Sequence, residues 1–90
     1  MKWVFELTLT AQEDLRDLPD KIRKRVGRTI EQMENDPFQG DVKALKGRDF
    51  KRLFRRRIGD YRIIFSADQR TGAATVFRIL PRSEKTYKDG

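Results

Sequence analysis

Apolar and polar positions alternate from Lys2 to Thr8, with Trp3, Phe5 and Leu7 on one side; a period of two predicts a first strand. The period then lengthens. Ala11, Leu15 and Leu18 are spaced as one stripe of a short helix, with Thr10-Ala11-Gln12-Glu13 matching a capping box at its start. Pro19 breaks that helix and suits the first turn of a second one. In this second helix Ile22, Val26, Ile30 and Met33 recur at steps of four, four and three, and Lys21, Arg23, Lys24, Arg25, Arg28, Glu31 and Glu34 fill the other face. Asp36-Pro37 closes it. Phe38–Asp49 reads as a loop tied to the core by Phe38, Val42 and Leu45, with a turn at Gly47.

Alternation returns in Phe50–Phe65, FKRLFRRRIGDYRIIF, as two antiparallel strands joined at Ile58-Gly59-Asp60. Residues two apart share a face, so Leu53, Arg55 and Arg57 point one way and Phe54 and Ile58 the other. In the partner strand Tyr61, Ile63 and Phe65 lie opposite Arg62. Asp68–Ala73 predicts a second hairpin loop, with Gly72 available for a positive φ. Thr75–Leu80 is the last strand, with Phe77 and Ile79 on one face and Val76, Arg78 and Leu80 on the other. Pro81 ends it, and Arg82–Tyr87 forms a short tail. The expected fold is α+β in the order β-α-α-β-β-β, an antiparallel meander packed against an N-terminal helix pair, as one domain over residues 1–90.

Charge sharpens this picture. The formal net charge is +7, but residues 1–41 hold seven Lys/Arg against nine Asp/Glu, a net of −2, and residues 42–90 hold fourteen against five, a net of +9. The basic character belongs to the three-strand half, which points to a binding face for a polyanion. Nucleic acid is the first partner class and an acidic protein segment the second. There is no cysteine, hence no disulfide framework and no thiolate metal site. No apolar run approaches the ~20 residues that span a bilayer. Glu6 arrives before any signal-peptide apolar segment, so a reducing cytoplasm is the expected setting, with no membrane partner.

The chain has no histidine, so a histidine acid–base pair and a histidine metal site are both excluded. Its carboxylates lie on the helices and in turns, a pattern that argues against a two-metal nuclease; no metal and no cofactor is expected. Arginine, lysine and tyrosine remain. Arginine clamps phosphates and neutralises charge developing in a transition state. Tyrosine, which ordinarily titrates near pH ~10, stacks on bases but is a poor base at neutral pH. RNA cleavage with this set runs by attack of the 2′-hydroxyl on the adjacent phosphate, leaving a cyclic phosphate. Its rate comes from holding the RNA in line. Each cluster also has a plainer reading: Arg55-Arg56-Arg57 as a solvated sheet edge, Tyr87 as a packing anchor, Arg23–Arg28 as the wet face of a helix.

Three segments, Leu45-Lys46-Gly47, Arg57-Ile58-Gly59-Asp60-Tyr61-Arg62-Ile63-Ile64-Phe65 and Ile79-Leu80-Pro81-Arg82 followed by Tyr87, resemble the RelE/ParE superfamily of bacterial type II toxins. The resemblance implies a toxin with a cognate antitoxin, binding operator DNA only through the antitoxin complex. The RelE branch cleaves mRNA in the ribosomal A site without metal, and the ParE branch poisons DNA gyrase. On the RelE pattern, Arg55 falls at a strand lysine, Arg62 at a phosphate-clamping arginine, Arg82 at a proton donor to the leaving oxygen, and Tyr87 at a tail tyrosine that stacks on or activates the nucleotide. These four are the catalytic candidates; Lys46, Lys51, Arg52, Arg57 and Arg78 are the accompanying RNA-binding ones. Leu53 stands where RelE has a second lysine, and Arg56 where the family is usually apolar. A ribosome-dependent endoribonuclease acting on mRNA is therefore expected, with a gyrase poison and a non-catalytic RNA-binding module as alternatives.

Overall fold

A computed structural model describes residues 2–45 and 53–81. The elements run β1 (Val4–Leu7), α1 (Leu9–Arg16), α2 (Asp20–Met33), β2 (Val42–Ala44), β3 (Phe54–Ile58), β4 (Tyr61–Asp68) and β5 (Ala73–Pro81). They form a five-stranded sheet in the order β1-β5-β4-β3-β2. The β2–β3, β3–β4 and β4–β5 pairs are antiparallel, while β1 lies parallel to β5 and makes the sheet mixed.

The α+β class, the helix pair and the meander of β3, β4 and β5 match the sequence reading. Two features differ. Residues 42–44, read as loop, form a short edge strand, because Val42 packs into the core while Lys43 pairs with Arg55. The other is the first strand, which the sequence reading left without a pairing partner: it joins the meander in parallel through β5.

Helix α2 carries the clearest amphipathic pattern, and its Val26 and Met33 are buried with Ile22 and Ile30 packed against them. Ala11, Leu15 and Leu18 of the first helical segment meet the same core. Across from them the sheet presents Ile58, Ile63, Phe65, Val76 and Ile79, all buried. A fully buried side chain of this size contributes about 1.5–3 kcal/mol, so this interface dominates stability. At one end of the sheet the rings of Trp3 and Phe38 stand 6.1 Å apart, Phe38 and Phe54 5.2 Å, and Phe54 and Phe65 5.7 Å. Phe38 thus anchors the segment after α2, as its place in the sequence predicts.

Two local expectations are corrected. The N-cap of α1 is Thr8, not Thr10: the Thr8 hydroxyl accepts from the Ala11 N–H at 3.1 Å and donates to the Phe77 carbonyl at 3.1 Å. That second bond ties the cap to β5, an advantage Thr10 lacks. On β5, Val76 shares the helix-side face with Ile79, not with Arg78 and Leu80. The register shifts by one residue between Ile64, opposite Arg78, and Phe65, opposite Val76, so β5 carries an extra residue, Phe77. The β3–β4 turn is the two-residue Gly59-Asp60, with Gly59 at φ +54°, a conformation open to glycine.

Beyond Leu7 the edge of β5 loses its β1 neighbour, and the start of α1 takes over. The Thr8 N–H donates to the Val76 carbonyl at 3.0 Å, and the Asp14 carboxylate accepts from the Ile79 N–H at 3.0 Å. The helix therefore supplies the partners that a missing strand would have supplied.

Candidate nucleic-acid interface

The face opposite the helices follows from register. Direct antiparallel partners share a face, so Lys43, Arg55, Ile64 and Arg78 form one row across four strands. Arg57, Arg62 and Leu80 form the adjoining row. Arg57 and Arg62 are cross-strand partners, a like-charge pairing that is destabilising by itself. Four cationic side chains of β2, β3 and β4, namely Lys43, Arg55, Arg57 and Arg62, thus originate from one patch of sheet. Ile64 and Leu80 are buried between them and pack with Leu45 and Leu53 in a second, smaller apolar cluster. The basic residues of the patch are thus interleaved with apolar ones.

Arg62 is 4% exposed and Arg55 2%. Arg55 Nη1 donates to the Asp41 carboxylate at 3.0 Å and to the Asp41 carbonyl at 3.2 Å. The Arg57 backbone N–H donates to the same carbonyl at 3.0 Å, and Arg57 Nε lies 4.0 Å from the other Asp41 carboxylate oxygen. The hydrogen bond from Arg55, reinforced by the charges of Arg55, Arg57 and Lys43, holds the Asp41 carboxyl below the usual aspartate range.

The run Arg55-Arg56-Arg57 divides between the two faces. Arg56 shares the helix side with Phe54 and Ile58; its Nη1 donates to the Gln39 carbonyl at 2.8 Å. It borders a cavity of about 380 Å³ lined also by Thr29, Gln32, Met33 and Gly40. Gly40 adopts φ +91°, and a Cβ there would lie 1.5 Å from Arg56 Nη1. At that backbone angle a side chain is strained, and one placed there would also push the Arg56 guanidinium aside.

Arg78 begins in the Arg55 row but reaches the sheet edge, where Nε and Nη2 donate to the Asp14 carboxylate at 2.8 and 3.3 Å. Its guanidinium is engaged with α1, apart from the β3–β4 patch. Lys46, Lys51, Arg52, Arg82 and Tyr87 lie outside the described residues, as does the turn at Gly47. Sequence reasoning missed Lys43, Asp41 and Asp14. Gly40-Asp41 followed by the alternation of Val42, Lys43 and Ala44 was the only available sign of the first two, and three residues are too few to establish a period.

Chemically, the exposed Lys43 and the partly exposed Arg57 offer cationic contacts for a phosphate, and the Arg55 and Arg62 guanidiniums lie buried behind them as fixed positive charge. Among the described residues no group of three or more carboxylates is gathered to hold a metal ion, and no helix is long and apolar enough to cross a membrane.

Residues 5–86 match the family model described as the ParE toxin of the type II toxin–antitoxin system parDE. The chain is similar to two RelE-named toxin sequences of Methanocaldococcus jannaschii: RelE1, 32% identical over 99% of each chain, and RelE3, 31% identical over 97% of this chain and 96% of the relative. Its structure is similar to the RelBE2 toxin–antitoxin complex of Mycobacterium tuberculosis, with TM-score 0.80 and 25% identity over 91% of this chain and 100% of that one. The archaeal RelE–RelB complex of Pyrococcus horikoshii gives TM-score 0.79 and 25% identity over 93% and 99%.

Proposed function

Because this chain belongs to the RelE/ParE superfamily of type II toxins, we propose that it is a RelE-like endoribonuclease that cuts mRNA on the ribosome. The observation that carries this reading is the common face of Arg55, Arg57 and Arg62 on adjacent strands. In the proposed step the 2′-hydroxyl gives up its proton to solvent water as its oxygen attacks the neighbouring phosphorus. The bond to the 5′-oxygen breaks, and the products are a 2′,3′-cyclic phosphate and a free 5′-hydroxyl. Arg62 clamps the phosphate and Arg55 neutralises the charge that grows on its oxygens. Arg82 donates the proton to the leaving oxygen, and Tyr87 stacks on or activates the nucleotide. Lys46, Lys51, Arg52 and Arg57 hold the flanking backbone. Arg78, paired with Asp14, contributes to the field more than to direct contact.

The ribosome enters through a shortage of good bases. Without histidine, the residues present are weak proton acceptors at neutral pH, and in-line placement must supply the acceleration. An A-site codon is already held in a fixed conformation, whereas free RNA is not. The partners proposed are ribosome-bound mRNA in the cytoplasm and a cognate antitoxin that silences the toxin and carries the complex to operator DNA. Solved relatives are complexes of RelE-type toxins with RelB antitoxins, which supports the antitoxin proposal.

The ParE description of the family model favours a second reading, inhibition of DNA gyrase. One experiment separates the two: after a pulse of expression, primer extension on translated mRNA and plasmid supercoiling are followed together. The ribonuclease reading expects new 5′ ends within codons and normal supercoiling. Intact mRNA with relaxed plasmid would replace it with the gyrase reading.

A further inference from the structure

Asp41 meets the β3 arginines from the end of the α2–β2 connection. Its carboxylate is half exposed, while the Arg55 side chain that it holds is 2% exposed. The second carboxylate oxygen faces Arg57, and Lys43, two residues on, shares the Arg55 row. The connection itself is pinned from the other side of the sheet. Arg56 donates to Gln39, Gly40 passes over the Arg56 guanidinium, and the Val42 N–H donates to the Gly40 carbonyl at 2.9 Å. All three consecutive arginines of β3 therefore converge on residues 39–41, two of them on Asp41 itself.

From this arrangement we infer that Asp41 is a built-in competitor anion: its carboxylate occupies the position on Arg55 and Arg57 that an RNA phosphate takes, and RNA must displace it. This rests on the reading that the face binds RNA, and it adds a specificity device to that reading. A phosphate arriving from flexible RNA must break a preformed, charge-assisted pair and gains little net contact. A phosphate held in place beside the face meets the same competitor at a far higher effective concentration and wins. Asp41 thereby biases the toxin against loose RNA. The backbone carbonyl of Asp41, which also accepts from Arg55, keeps that guanidinium oriented after the carboxylate leaves.

The test uses a single-stranded oligodeoxynucleotide, which lacks the 2′-hydroxyl and survives the measurement, titrated over a range of salt concentrations. Asp41→Asn removes the competing charge and keeps an oxygen. The log–log salt slope is expected to steepen by about 0.7 for each phosphate newly engaged, and affinity at about 0.1 M salt to rise about fivefold per phosphate. Asp41→Glu, which restores the charge, returns the slope to the wild-type value. Asp17→Asn, an equal change of net charge at the exposed C-cap of α1, leaves it there. An unchanged slope in Asp41→Asn, or an equal change in Asp17→Asn, overturns the inference. If Asp41→Asn does not fold, Asp41→Ser, which also removes the charge, decides by the same titration: a slope steeper than wild type is expected, and a wild-type slope overturns the idea. Cleavage of ribosome-bound mRNA is scored separately, so a competitor anion on a non-cleaving toxin and a cleaving toxin without one give different results.

Discussion

Asp14 closes the open edge of β5, and its removal has a calculable cost. The carboxylate accepts from Arg78 Nε at 2.8 Å, Arg78 Nη2 at 3.3 Å and the Ile79 N–H at 3.0 Å. Ile79 is 2% exposed, so Asp14→Ala leaves a buried backbone donor without its acceptor, at about 1–3 kcal/mol. The ion pair is worth less, since the two side chains are 34% and 17% exposed; about 0.5–1 kcal/mol is a fair allowance. The expected loss is about 2–3 kcal/mol, which for a domain of this size lowers Tm by about 10–20 °C. Asp14→Asn keeps an acceptor for Ile79 and gives up the charge, for about 1 kcal/mol. Urea unfolding followed by Trp3 fluorescence measures both, with an unchanged m-value showing that the unfolded state is not altered. An Ala variant within about 0.5 kcal/mol of wild type would refute the claim that α1 substitutes for a strand at this edge.

Three further outcomes follow from the same geometry. The lowered Asp41 pKa means that its carboxylate contributes stability above the ordinary aspartate value of about 3.9, and that this contribution disappears as pH falls through the lower folded value; acid unfolding of Asp41→Asn should show a shallower loss in that window than wild type. Gly40→Ala forces a side chain into φ +91° and against Arg56, for a combined cost of about 2–3 kcal/mol in chemical denaturation. In the Asp41→Asn background, where no carboxylate faces Arg57, Arg57→Ala should reduce the salt slope of oligonucleotide binding by about 0.7, whereas Arg56→Ala, on the helix side, should leave that slope unchanged while lowering stability.

Which parts of this molecule could be read from the chain depended on how local the determining interaction is. The stripe of Ile22, Val26, Ile30 and Met33 and the alternation of Tyr61 to Phe65 are properties of consecutive residues, and both elements appear as expected. The division of Arg55 and Arg57 from Phe54 and Ile58 followed from strand geometry alone. The bulge at Phe77 did not, because VFRIL alternates acceptably in either register and the choice is made by pairing with β4. Thr8 outcompetes Thr10 as a cap through a carbonyl 69 residues away. Asp41 and Asp14 find their arginines at separations of 14 and 64 residues, and nothing local distinguishes them from the other acids of the N-terminal half.

The proposed function requires guanidiniums of β3 and β4 to act together on one phosphate of ribosome-bound mRNA. Purified ribosomes carrying a defined A-site codon, mixed with toxin and followed by primer extension, probe that requirement without an intermediary. Wild-type protein is expected to cut within that codon, and Arg62→Ala, correctly folded, to cut at least about 100-fold more slowly. An Arg62→Ala protein that cleaves at the wild-type rate would show that the phosphate is held elsewhere.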